Sequence, residues 1–150
     1  MEYIYKSPLG DMLITYDDNH ILGTYFDRAP SQEYIHNNVI ESCINQLDKY
    51  FTGELRHFDL PLNPAGTAFQ KLVWDALQKI PYGQTATYGQ IAAKIGKPKA
   101  ARAVGGANNK NPLLVIVPCH RVIGANGGLV GFACGMERKT ALLKLEGFIS

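Results

Sequence analysis

The chain has little cysteine: Cys43, Cys119 and Cys134 are three, an odd number, widely separated and without a C-x-x-C pair. That excludes a disulfide framework and a zinc cage, and it predicts a reducing compartment with at least one free thiol. No apolar run approaches the roughly 20 residues of a membrane span. The opening Met1-Glu2-Tyr3-Ile4-Tyr5-Lys6 has no signal-peptide pattern, so export is not expected. Repeats and low-complexity tracts are also missing. The most telling absence is of negative charge. Between Asp75 and Glu137 there is no acidic residue, while Lys79, Lys94, Lys97, Lys99, Arg102, Lys110 and Arg121 fall inside that interval.

The net charge of +2 therefore conceals an asymmetry. Residues 1–64 hold four basic and ten acidic side chains, net −6, whereas residues 65–150 hold eleven and three, net +8. A basic half of this kind is the footprint of a polyanion partner, and nucleic acid is the expected one. At 150 residues, 46% hydrophobic and 19% charged, the chain suits a globular protein of one domain or two small ones.

Three short β-rich runs, Tyr3–Lys6, Met12–Tyr16 and Ile21–Phe26, are separated by turn signals and predict an antiparallel meander. Apolar positions at Ile35, Val39, Ile40, Cys43, Ile44, Leu47, Tyr50 and Phe51 then follow a helical period that ends at Gly53. Cys43 on that face reads as packing. Leu60-Pro61-Leu62-Asn63-Pro64-Ala65-Gly66 reads as a linker between domains 1–64 and 65–150. Thr67 can cap a helix with the stripe Phe69, Leu72, Val73, Ala76, Leu77 and Ile80. Two short helices, about 88–95 and 99–108, flank Gly96-Lys97-Pro98 and fit a helix-turn-helix with Lys99 and Arg102 near the start of the second. A glycine-rich loop from Gly124 to Gly135 precedes a last helix near 137–146.

The run Leu113-Leu114-Val115-Ile116-Val117 reads as a buried strand stopped by Pro118, with Cys119, His120 and Arg121 directly after it. A thiol in a locally positive setting at the end of a rigid element is how a reactive cysteine is made, although an inert buried thiol has the same local sequence. On extended backbone, neighbouring side chains point to opposite sides, which argues against a direct Cys119–His120 ion pair.

With these residues in view, the chain resembles the O6-alkylguanine-DNA alkyltransferases. The resemblance rests on Pro118-Cys119-His120-Arg121-Val122 and on Tyr82-Gly83-Gln84-Thr85-Ala86-Thr87-Tyr88-Gly89-Gln90-Ile91-Ala92. It also rests on Arg102-Ala103-Val104-Gly105-Gly106-Ala107, on Asn111-Pro112, and on Glu137-Arg138-Lys139 with Leu142-Leu143 and Glu146. These segments span residues 66–150 in the family's order. The first half resembles the family's ribonuclease-H-like domain through Ser7-Pro8-Leu9-Gly10 and its element order. The implied fold is α+β: a small ribonuclease-H-like antiparallel sheet with a helix, then a mainly helical domain carrying the helix-turn-helix.

The resemblance implies stoichiometric repair of O6-alkylguanine in DNA, with O4-alkylthymine as a second substrate left open. Cys119 would accept the alkyl group, with His120 acting through a water relay and Glu146 orienting the imidazole. Tyr88 would hydrogen-bond the base at N3 and help turn the nucleotide out, and Arg102 would fill the vacated stack. Ala103 and Gly105 would let their helix sit close in the minor groove of double-stranded DNA, with Lys99 and Lys139 as further contacts. Backbone at Val122 would read the guanine amine. Asn111 would hold turn backbone beside the site, and for Asn111 and Lys139 a purely structural role stays open.

Leu114, Ala133 and Cys134 depart from residues common in relatives and would shape the pocket wall. Some relatives bind zinc through cysteines in the first domain, but only Cys43 lies there, so no metal and no cofactor are expected. A monomer in the cytoplasm is expected, or in the nucleus of a eukaryote. The rivals are a lesion-flagging relative without an acceptor cysteine, a helix-turn-helix regulator and a Cys–His hydrolase.

Overall fold

Ser7 starts the fold's first reversal: its hydroxyl binds the Gly10 carbonyl at 2.5 Å and accepts from Leu9 N–H at 3.1 Å. Gly10, at φ 119°, takes the backbone conformation that the turn demands and a side chain would resist. The computed structural model in which this is seen describes residues 1–127 and 135–149. It divides into two compact units, Met1–Ala65 and Gly66–Ser150.

In the first unit, β1 (Glu2–Ser7), β2 (Gly10–Tyr16) and β3 (Ile21–Phe26) form an antiparallel sheet in the order β1-β2-β3. The register runs from Glu2↔Thr15 to Ser7↔Gly10 and from Met12↔Phe26 to Tyr16↔Ile21, with an irregularity at Thr15/Tyr16. Helix α1 (Asn38–Phe51) is capped by the Asn37 side chain and buries Ile40, Cys43, Leu47 and Tyr50. The Tyr5 hydroxyl donates to Asp48 Oδ1 at 2.6 Å and so ties β1 to α1. Ile35 does not belong to the helical face. It precedes the cap and is exposed, and its main chain is what the fold uses, since both its N–H and C=O bond the Tyr16 hydroxyl. Residues 61–63 are also more than a linker. Ile21 N–H donates to Pro61 and Asn63 N–H donates to Ile21, which pairs Leu62 with Ile21 in parallel fashion.

In the second unit, α2 (Ala68–Leu77) starts at a capping box in which Thr67 and Gln70 satisfy each other's backbone. It buries Val73, Trp74, Ala76 and Leu77, while Leu72 is exposed. Trp74, absent from the sequence-based stripe, has its indole N–H on the Ala107 carbonyl at 2.9 Å. A two-residue strand β4 (Ala86–Thr87) leads directly into α3 (Tyr88–Lys94), whose capping box is Thr87 and Gln90. After Gly96, at φ 77°, comes α4 (Ala101–Asn109), so Lys99 lies in the turn and not in the helix. A 3-10 turn (Cys119–Arg121), the strand β5 (Val122–Ile123) and α5 (Met136–Leu145) complete the unit. β4 and β5 pair in parallel, Ala86 with Val122 and Thr87 with Ile123. That pairing sets the start of α3 beside the segment that follows Cys119.

Residues 113–117 are not a strand. Val117 N–H closes a turn onto the Leu113 carbonyl at 2.9 Å, and Val115 sits at φ 73°, a conformation rare for a β-branched residue. Continuous apolarity reports burial and not conformation, and the five side chains are indeed buried. At the two ends of the run, Leu113 N–H and the carbonyls of Leu113 and Val117 are bonded by one side chain, that of Asn111.

Candidate active site

Asn111 Oδ1 accepts from Leu113 N–H at 2.9 Å, and its amide donates to the carbonyls of Val117 at 2.9 Å and Leu113 at 3.4 Å. The chain leaves α4, circles this amide and returns at Pro118, so Asn111 fixes where the thiol begins. Asn111→Ala should lower stability by about 2–3 kcal/mol, because it strands buried backbone groups around the turn. Urea unfolding checks the figure, and a loss below about 0.5 kcal/mol would mean the turn holds itself.

Cys119 is fully buried. Its N–H bonds the Val117 carbonyl at 2.8 Å, and its own carbonyl accepts from Val122 N–H. Burial pushes the thiol up to about 12, against the opposing pull of the Asn111 amide and the Lys139 charge. The resting group is thus a thiol, and reaction requires that its proton be taken. The expected extended backbone at this point is replaced by the 3-10 turn.

The adjacent His120 is also fully buried, with Nε2 2.8 Å from Glu146 Oε2. Glu146 caps the C-terminus of α5 and is held from a second side by Arg121, whose Nε donates to Oε1 at 2.8 Å and Nη2 to Oε2 at 2.9 Å. Burial alone would raise this carboxyl, but the hydrogen bonds from His120 and Arg121, with the guanidinium charge, hold it down to about 2. For His120, burial dominates over the attraction of Glu146 and lowers its affinity for a proton. The imidazole is therefore neutral. Because a carboxylate only accepts, Nε2 carries the hydrogen and Nδ1 is the basic atom.

Arg121 is the residue that sequence reasoning misjudged most. Counted there as surface charge, it is buried and ion-paired, with Nη1 on the Ile80 carbonyl at 2.7 Å. Around it, the Tyr82 hydroxyl donates to the Leu145 carbonyl at 3.2 Å. Gly83, at φ 77°, leaves room for the Glu146 carbonyl only 3.1 Å from where a Cβ would stand. Both stand in the motif that carries the resemblance, but sequence assigned neither a role at the site. The glycine directly after Pro81-Tyr82 was the available signal, since a left-handed turn there admits little else.

Lys139 also corrects an expectation. It is fully buried, its ammonium donating to the Val122 carbonyl at 2.6 Å, so it does not present itself to a polyanion. Burial lowers its proton affinity and the neighbouring Cys119 partly restores it. A carbonyl has two lone pairs, so Val122 keeps one for a ligand donor.

Tyr88 is half-buried at the first position of α3, and desolvation together with the proximity of Cys119 raises its hydroxyl, which stays a phenol and a hydrogen-bond donor. Gly105 of α4 faces it: a Cβ there would lie 3.8 Å from the Tyr88 ring. The exposed side of α4 is Arg102, Ala103, Gly106, Asn109 and Lys110, with Lys99 exposed just ahead. Leu114 is buried under the Asn111 turn. Ala133 and Cys134, expected at the pocket wall, lie outside the described residues.

Residues 1–64 match the family described as 6-O-methylguanine DNA methyltransferase, ribonuclease-like domain, and residues 68–148 match 6-O-methylguanine DNA methyltransferase, DNA binding domain. The chain is 50% identical over 150 residues to a methylated-DNA–protein-cysteine methyltransferase of Methanosarcina acetivorans, covering 96% of each. A protein of the same name from Mycobacterium leprae is 54% identical over 110 residues, 73% of this chain and 67% of that one. Among solved structures, Mycobacterium tuberculosis OGT in complex with DNA is similar at a TM-score of 0.88 and 44% identity, covering 95% of this chain and 90% of that one.

Proposed function

As a member of the 6-O-methylguanine DNA methyltransferase family, the chain repairs alkylated DNA by moving the alkyl group to a protein cysteine, and we propose that Cys119 is that acceptor. The observation that carries the assignment is the buried Glu146–His120 contact of 2.8 Å, directly beside a buried thiol. In this reading Glu146 holds the neutral imidazole with Nδ1 basic, and His120 draws off the Cys119 proton through a water relay. The thiolate sulfur attacks the saturated carbon of the O6-alkyl group. The S–C bond forms as the C–O bond breaks, and the electron pair leaves on guanine O6. Tyr88, kept as a phenol, donates to the base as that charge develops, and the second lone pair of the Val122 carbonyl receives the exocyclic amine. No oxyanion hole is needed, because no tetrahedral carbonyl adduct forms.

A fully buried acceptor cannot reach a base inside a duplex, so the nucleotide must be turned out of the stack. The small exposed residues Ala103 and Gly106 suit close approach of α4 to a minor groove, and Arg102, also exposed on α4, would fill the stack the nucleotide leaves. Lys99 and Lys110 flank that face and would meet phosphates. The chain acts as a monomer on this reading. The odd cysteine count favours a reducing, cytoplasmic setting, and no helix among the described residues is long and apolar enough to cross a membrane.

The product thioether has no good leaving group, so each molecule acts once. With excess O6-methylguanine duplex, restored guanine should plateau at one per protein, and continued turnover would overturn the assignment. His120→Phe should slow transfer by about 10²–10³-fold, the usual worth of a positioned base. Its rate should also climb about tenfold per pH unit through neutrality, because only the thiolate fraction of a group titrating near 12 then reacts. The parent protein, whose base is held neutral by burial, should be nearly flat there. Equal pH profiles would remove His120 from the reaction.

A further inference from the structure

Asn108 sits in the last turn of α4, fully buried, and has no part in the chemistry above. Its main-chain carbonyl accepts from Asn111 N–H at 3.3 Å, at the point where the chain departs to circle the Asn111 amide. Its side-chain amide reaches 3.5 Å to the carbonyl of Cys119, eleven residues on, where the chain returns. Asn108 therefore closes the circuit between α4, the helix that carries Arg102, and the backbone of the acceptor residue. The other end of the same amide is badly served: Oδ1 is buried and meets no donor among the described residues.

We propose that Asn108 is a positioning residue for alkyl transfer, holding the Cys119 carbonyl from the last turn of α4 so that the thiol and the DNA-facing helix move as one piece. A buried amide with one long hydrogen bond and an orphaned acceptor is a poor stabiliser, and an apolar side chain of the same shape would leave no polar group unmet. What the amide supplies instead is the height of the Cys119 backbone relative to α4. In-line displacement is sensitive to that height, since small misplacements of reacting atoms cost rate steeply. Stability and activity should then respond to its loss in opposite directions, which a residue kept only for packing would not do.

The inference rests on Cys119 being the acceptor. The test is Asn108→Leu in single-turnover transfer from O6-methylguanine duplex at saturating protein, with affinity measured on the same duplex without the lesion. The maximum rate should fall about tenfold, the affinity should change by less than about twofold, and the melting temperature should stay equal or rise. If leucine does not fit, Asn108→Ala is read in the same way, with rates normalised to the molecules able to form adduct at the endpoint. An unchanged maximum rate, or a loss matched by a fall in melting temperature and active fraction, would overturn the proposal. Parent protein that forms no adduct would defeat the acceptor assignment itself, whereas parent and variant that react equally fast defeat only the role of Asn108.

Discussion

Replacing Glu146 by glutamine should destabilise the protein by about 3–5 kcal/mol, the usual cost of removing one partner of a buried ion pair, and slow alkyl transfer by about a hundredfold. The carboxylate accepts from His120 Nε2, Arg121 Nε and Arg121 Nη2, all within 2.9 Å. A glutamine offers one acceptor oxygen and puts an NH₂ against a donor on the other side. The buried Arg121 guanidinium loses at least one of its two contacts to residue 146 and keeps the Ile80 carbonyl. With the NH₂ in the Oε2 position, the imidazole loses the acceptor that sets its tautomer, and the basic nitrogen is no longer fixed at Nδ1.

The pH dependence separates the two contributions. Glu146 titrates near 2 in the folded chain, below its ordinary 4.5. Its stabilisation is complete above the unfolded value and is lost as pH falls through the folded one. The parent protein should therefore lose stability between about pH 4.5 and pH 2, and Glu146→Gln should lack that component of the loss. Urea unfolding at pH 7 and near pH 3 decides the matter. A variant less than about 1 kcal/mol weaker at pH 7 would mean that Arg121 and His120 find other partners.

Much of this site was legible in the amino-acid sequence. The capping residue Thr67, the start of α3 at Tyr88, and the sheet and helix of the first unit follow from periodicity and from side chains that must satisfy helix ends; the Thr87 cap of α3 was not read. What escaped has a common cause, which is burial that composition does not report. Arg121 and Lys139 read as surface cations because lysine and arginine usually are. Here one is neutralised by Glu146 and the other rests on a carbonyl, and both partnerships are made by residues distant in the chain. The aliphatic run 113–117 read as a strand because nothing in it announces a turn. Its turn is closed by Val117 N–H on the Leu113 carbonyl and by Asn111, a side chain outside the run that bonds both of its ends. Asn108 gave no signal at all, since a buried asparagine looks like any other polar residue at a helix end.

Cys119 remains the centre of the account, and its environment runs against the simplest picture of a reactive cysteine. A positive neighbourhood was the expected means of activation, but the nearest guanidinium is spent on Glu146, and the thiol is driven up to about 12 by burial. Burial protects the thiol at rest, and on the proposed mechanism its deprotonation would fall to His120 once the substrate is in place. This arrangement suits a residue that reacts once: a persistent thiolate would be open to oxidation and stray alkylation. Removing the sulfur should abolish transfer outright, because no other described side chain in the site is a nucleophile of comparable softness. Binding to alkylated duplex should survive, since Arg102 and the exposed side of α4 are untouched.

The most direct test is peptide mapping by mass spectrometry after incubation with excess O6-methylguanine duplex, run in parallel on the parent protein and Cys119→Ala. One added methylene per chain, confined to the peptide that holds Cys119 and absent from the variant, is the predicted result. A methylene on Cys43 or Cys134 in its place, or restored guanine with no protein adduct, would contradict it.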